Sequence, residues 1–129
     1  MVKQEVYKIS SIKAEEIKDS RGNPTIKVTV LSNVVSDSFS VPSGASTGAH
    51  EAHVLDTAKA IENVNTIIAP ALIGQDIENQ KEIDKILLQL DGTKNKERLG
   101  GNSMIGVSIA CAKAAAKAKG EEVYLHLRT

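Results

Sequence analysis

The chain has 129 residues, 41% hydrophobic and 25% charged, the size and balance expected of one water-soluble folding unit with a real core. Sixteen basic residues cancel sixteen acidic ones, and one Phe, two Tyr and no Trp provide neither a positive footprint nor a stacking platform, so no nucleic-acid partner is expected. No stretch reaches membrane-spanning length and Met1 to Glu5 lead into no apolar signal core, so no membrane partner and a cytoplasmic location are expected.

The first half has the period of strands. Ile12, Ala14 and Glu16 alternate with Lys13 and Glu15; Ile26, Val28 and Val30 alternate with Thr25, Lys27 and Thr29. Between them, Asp19-Ser20-Arg21-Gly22-Asn23-Pro24 gathers turn formers around a Gly and a Pro, which makes a corner. Arg21 in that corner reads as a structural partner of Asp19 or a neighbouring carboxylate. After Ser32-Asn33, a third run from Val35 to Val41 puts Val35, Phe39 and Val41 on one face, with Asp37 interrupting it. Three short-linked strands in succession predict an antiparallel meander.

The second half has the period of helices. Val54, Ala58, Ile61 and Val64 fall three or four apart, predicting an amphipathic helix from about 54 to 64. Ile67 to Ile73 is apolar but contains Pro70, which is tolerated near a helix start or at a break between two helices. Asn79 with Glu82 three residues on forms an N-cap signal; Ile83, Ile86, Leu87 and Leu90 supply a buried face, and Gly92 a stop. The last helix is predicted from Asn102 or Ser103 to Lys119, with close-packing alanines, lysines 113, 117 and 119 toward its negative end, and Gly120 as terminator. Cys111 lies in its alanine-rich stretch and reads as a buried structural thiol. Strands first and helices after predict an α+β fold, a three-stranded meander with about four helices packed on one face. The tail from Val123 to Thr129 ends abruptly, as at a domain border.

Between strand and helix lies Pro42-Ser43-Gly44-Ala45-Ser46-Thr47-Gly48. Pro42 stops the ladder, two glycines widen the backbone's range, and three hydroxyls are oxygen donors for phosphate or a hard cation. The segment lacks the lysine and spacing of a phosphate-binding P-loop and does not match GxGxxG. On composition alone it is a polar connection; as a site it would close over a small anion.

Together, Asp19-Ser20-Arg21-Gly22-Asn23-Pro24-Thr25 and Val41-Pro42-Ser43-Gly44-Ala45-Ser46-Thr47-Gly48 resemble the opening signature of the enolase family. Ile68-Ala69-Pro70-Ala71-Leu72, Gln89-Leu90-Asp91-Gly92-Thr93 and Gly100-Gly101-Asn102-Ser103-Met104-Ile105-Gly106-Val107-Ser108 extend the likeness over nearly the whole chain, in order. The resemblance implies an N-terminal domain (residues 1–129) that packs on a (β/α)-barrel absent from this chain. It implies the family's reaction, in which two magnesium ions and a barrel lysine convert 2-phosphoglycerate to phosphoenolpyruvate and water, a lyase step of glycolysis. It also implies that this domain lends a lid: Ser46 as ligand to the second magnesium, with Ser43, Gly44, Ala45, Thr47 and Gly48 serving lid motion and shape. No catalytic base is identified in this chain. His50 and His53 have no partner at metal-ligand spacing and, because the acting histidine of the family belongs to its barrel, read as surface residues; His126 in the tail reads as a packing or surface residue.

Two departures stand out. Family members usually carry about a dozen more residues between Glu51-Ala52 and the Ala58-Lys59-Ala60-Ile61 helix, in a commonly variable surface connection. A connector this short would restrict the lid by pulling its C-terminal anchor toward the helix. In many enolases a basic residue at the position of Glu15 and an acidic one at Lys27 pair with the other subunit of a homodimer; both signs are reversed here, which penalises the usual dimer. With one candidate metal ligand and no identified base, the isolated chain is expected to be inactive, and the alternative is a truncated, non-catalytic enolase-like interaction module.

Overall fold

The alternation at 12–16 and 25–30 folds as predicted into neighbouring antiparallel strands. In the computed structural model, which describes residues 7–42, 56–92 and 98–120, β1 (Ile9–Lys18), β2 (Pro24–Ser32) and β3 (Ser36–Ser40) form a three-stranded sheet in sequence order. Ile12 faces Val30 and Ala14 faces Val28 across the first pair, and Val28 faces the half-buried Phe39 across the second, so one sheet face is apolar and largely buried. β1 begins earlier than its alternation suggests. A register irregularity between Ile9 and Ser11 breaks the period, yet Ile9 returns to the core. Glu16 has core parity but is exposed, its carboxylate accepting the Thr57 hydroxyl at 2.7 Å at the start of α1.

The corner works through a carboxylate. Asp19 Oδ1 accepts the backbone N–H groups of Arg21 at 2.9 Å and Asn23 at 2.8 Å, while Gly22 takes φ 82°, a left-handed value suited to glycine. The Arg21–Asp19 pairing expected from the sequence is thus made by the arginine's main chain. Its guanidinium forms no ion pair among the described residues.

Helix α1 (Thr57–Asn63) continues through a π turn (Val64–Ile68) into α2 (Ala69–Leu72). The predicted stripe needs correction here. Ala58 is exposed and Ile61 half-buried, whereas Ala60, Val64, Ile68 and Leu72 are buried, four residues apart each time. A spacing of four drifts around a 3.6-residue helix, and the wider π turn, in which Ala69 N–H reaches back to Val64 O, restores its alignment. The same turn accommodates Pro70 near the start of α2, where a missing N–H is harmless.

Helices α3 (Gln80–Asp91) and α4 (Gly101–Lys119) form with the predicted signals: Asn79 accepts from Glu82 N–H, and Gly92 and Gly120 end them in left-handed geometry. α4 lies against the inner faces of β2 and β3, its Val107, Ala110, Cys111, Ala114 and Ala115 fully buried. With α1, α2 and α3 completing the layer, this is the expected α+β arrangement. Glu15 and Lys27, singled out above, are directly opposite partners on β1 and β2, so their reversed signs remain complementary within the sheet.

Candidate functional site

The segment 43–55, with Ser43, Gly44, Ala45, Ser46, Thr47, Gly48, His50 and His53, lies outside the described residues, as do Val54, Thr93 and the tail with His126. Its two attachments are described, and they fall at the same end of the sheet. Val41 leaves the sheet with its N–H on Ile26 O at 2.9 Å, its carbonyl accepting the buried Thr25 hydroxyl, and its side chain buried. Pro42 follows, exposed and unable to extend the ladder. The returning chain is fixed at Asp56, whose carboxylate caps α1 by accepting Lys59 N–H at 2.8 Å, and at Thr57, which donates to Glu16 Oε1 at 2.7 Å. Glu16 pairs with Ile26 and Ile17 with Thr25, so both attachments use neighbouring residues of β1 and β2 beside the Asp19–Asn23 corner.

Gly106 makes this seat possible. A Cβ there would stand 2.8 Å from Val28 Cγ2 and 3.0 Å from Val41 Cγ2, so α4 lies this close to the sheet only because residue 106 has no side chain.

Behind the seat, three helices converge on one turn. Asn63 donates to Arg98 O at 3.2 Å and Leu99 O at 3.1 Å; Asp91 accepts Leu99 N–H at 2.8 Å. Ser103 donates to Gly100 O at 2.9 Å and to Leu99 O. Asn63, Asp91 and Ser103 are all buried, and each is bound to main chain, which marks a structural network that fixes the approach to α4.

Between α3 and α4, Ser108 donates to Asp84 Oδ1 at 2.7 Å, and the Gln80 amide donates to Asp84 Oδ1 and to Ser108. Nearby Cys111 is held neutral: burial, and then the charge of Asp84, push its thiol from 9.0 up to about 12. It is therefore the inert core thiol expected from its surroundings. Among the described residues no three His, Cys, Asp or Glu side chains gather where they could hold a metal ion.

Sequence pattern alone assigned no structural role to Thr25, Asn63, Asp91 or Gly106. Asp91 left a signal: it follows Ile83 and Leu87 at intervals of four, so a carboxylate stands on a buried stripe. Gly106, a glycine inside an otherwise strong helix, left another.

A meander backed by helices, anchoring both attachments of a hydroxyl-bearing connection and gathering no metal-ligand cluster among the described residues, defines an α+β domain built around that connection. The family model described as "Enolase, N-terminal domain" matches residues 9–127, and the chain belongs to the enolase family through that domain. It is 47% identical to the enolase of Thermococcus gammatolerans and 49% identical to that of Pyrococcus furiosus, each over 131 aligned residues covering 94% of this chain and 30% of that protein. Enolase B of Dictyostelium discoideum is 49% identical over 130 residues, covering 92% of this chain and 29% of that protein. The chain thus spans about 30% of the length of the curated relatives it matches. The aligned stretch holds more positions than the part of this chain it covers, so these relatives carry residues without counterpart here. No helix among the described residues is long and apolar enough to cross a membrane.

Proposed function

We propose that this chain is the lid-bearing N-terminal portion of a magnesium-dependent enolase, acting with a barrel domain to convert 2-phosphoglycerate to phosphoenolpyruvate and water in the cytoplasm. The observation that carries this reading is the family match over residues 9–127, which includes the whole 43–48 segment.

The described residues do not by themselves fit a resident magnesium ion, since they gather no ligand cluster. The ligand proposed for this chain is Ser46 in the 43–55 segment, a neutral oxygen donor of the kind magnesium accepts. In the family's chemistry the metal's charge stabilises the enolate formed next to the substrate carboxylate. The part of this chain is different: Thr25 and Val41 on one side, Asp56 and Thr57 on the other, hold both ends of the segment on one rigid sheet end. Ser43, Gly44, Ala45, Thr47 and Gly48 are proposed to give it the freedom to exclude water when it closes.

The isolated chain is proposed to be inactive, because dehydration needs a positioned base together with the electrophilic site. Mixing it with the barrel portion of the Pyrococcus furiosus enolase and following formation of the enol product by ultraviolet absorbance tests the reading. Product is expected from the mixture alone, and Ser46→Ala is expected to raise the magnesium concentration needed. Turnover by this chain alone, or a Ser46→Ala mixture with unchanged magnesium dependence, contradicts the assignment. A chain that never complements any barrel supports the alternative non-catalytic module.

A further inference from the structure

Viewed down its axis, α4 meets described neighbours on most sides and leaves one side unaccounted for. Gly106 stands against Val28 and Val41. Further along, Lys113 Nζ donates to Ser38 O at 2.7 Å and lies 3.8 Å from the Asp37 carboxylate, while Lys117 Nζ donates to Ser36 O at 3.0 Å, so this side follows β3. Met104, Val107, Cys111 and Ala115 belong to the apolar core, and Ser108 faces α3 through its bond to Asp84. At about 100° per residue, Ile105, Ile109, Ala112 and Ala116 fall together on the remaining arc, between the Ser108 line and the Lys113 line. Ala112 and Ala116 are nonetheless 0% and 1% exposed, and both stand outside the contiguous core that takes in Ala110, Cys111, Ala114 and Ala115. So short a side chain on an outward helix face is closed to water only when another piece of chain lies on it.

Burial along this arc points to where that piece comes from. Glu78, just before α3, meets Lys119 at 3.4 Å, and Asp91 at the end of α3 binds Leu99 ahead of α4, so the two helices run antiparallel. Leu88, one turn past Asp84 on the same side of α3, therefore stands toward the Ile105 end, and it is 57% exposed. Cover is complete at Ala112 and Ala116, partial at Ile105 and Ile109, and slight at Leu88. It is thus greatest at the C-terminal end of α4, where residues 121–129 follow. Gly120, at φ 72°, turns the chain out of the helix axis in a left-handed cap. Nine residues reach about 30 Å, against about 22 Å from Gly120 back to Ile105. They include Val123, Tyr124, Leu125 and Leu127. The 43–55 segment is attached at the other end of α4, beyond the Val41 that packs on Gly106. Residues 1–6 lead into Tyr7 on the far edge of the sheet, where its carbonyl accepts Ile77 N–H.

We propose that the outward side of α4 is a docking surface for the chain's own residues 121–129, which fold back so that Val123, Tyr124, Leu125 and Leu127 lie on Ile109, Ala112 and Ala116. This surface is separate from the 43–55 segment and from the Glu15 and Lys27 face of the sheet. The full chain carrying C111A/A116C has a single thiol, on this surface, and its rate of labelling by a maleimide tests the assignment. Slow labelling is expected in the folded chain. Adding L125D/L127D is expected to speed it by about tenfold or more, the factor set by burial of a leucine, with helix content retained in circular dichroism. V2D/V6D is expected to leave the rate unchanged. Labelling of the folded C111A/A116C chain at its unfolded rate overturns the proposal, as does protection that survives L125D/L127D or is lost with V2D/V6D. Protection that depends on protein concentration also overturns it and gives the surface to a second copy. If C111A/A116C does not fold, urea unfolding of L125D/L127D with and without Ile109→Ala decides. Losses smaller together than their sum support the contact, and strictly additive losses overturn it.

Discussion

Gly106→Ala is the most direct probe of how α4 sets the sheet end that holds the 43–55 segment. Replacing a mid-helix glycine by alanine ordinarily stabilises by about 1 kcal/mol. Here the new methyl would meet Val28 Cγ2 at 2.8 Å and Val41 Cγ2 at 3.0 Å, inside normal carbon contact. Both valines are buried, and their branched side chains have little rotamer freedom in which to withdraw. With contacts of 2.8 and 3.0 Å to two buried valines the overpacking falls in the upper part of its usual range, about 1.5–3 kcal/mol, so after the gain of about 1 kcal/mol the net change is a loss of about 0.5–2 kcal/mol. At this chain length that corresponds to a fall in Tm of roughly 2–8 °C, measurable by thermal circular dichroism and urea titration. Because the clash is shared with Val28, Gly106→Ala combined with Val28→Ala should lose less than the sum of the single losses, by at least roughly 0.5 kcal/mol. A Gly106→Ala chain as stable as its parent, or strictly additive single losses, would refute the claim that contact with Val28 and Val41 demands glycine.

Other substitutions separate the remaining supports. Asn63→Ala leaves the buried carbonyls near Leu99 short of a donor and should cost about 1–3 kcal/mol in urea unfolding. Thr25→Val keeps the shape but strands the Val41 carbonyl, so about 1–2 kcal/mol of stability and amide protection near Val41 should be lost in hydrogen exchange. Asn65→Ala removes both bonds to Ala14 and should cost about 1–2 kcal/mol, with faster exchange at the Ala14 amide. Cys111 should resist thiol reagents in the native chain and react on unfolding. Its thiol titrates near 9.0 unfolded and near 12 folded, so stability is fully present below about pH 9 and declines as pH rises through that window, while Cys111→Ala should lose the part of this slope due to the thiol.

Much of the architecture was legible because period and punctuation agree. Ile26, Val28 and Val30 alternate without exception, and Asn79 and Gly92 bracket α3 with cap chemistry that needs no tertiary information. The helix after residue 56 was harder to read, since a stripe at every fourth residue matches a regular helix only approximately; the π turn that realigns it answers to packing and to Pro70. Ile9 escaped notice because the irregularity before Ser11 breaks its period. At the candidate site the composition of 43–48 was visible, but its seat was not. Thr25 looks like an outward strand residue, and only the folded chain brings its hydroxyl to Val41. Asp37 was visible as an interruption, and its meaning appears only where Lys113 and Lys117 arrive from a helix more than seventy residues away.

The neighbouring attachments at Val41 and Thr57 bear on how freely the connection between them can change length. A tether fastened at two adjacent points is not stretched by trimming, and residues 43–55 are far more chain than a gap between paired strands requires, at about 3.3 Å of reach per residue. The entropy of closing such a loop changes by only about 0.6 kcal/mol for each twofold change in length. A longer or a shorter connection can therefore rest on the same two posts, so the pull on the C-terminal anchor expected of a short connector does not follow from where its ends are fixed.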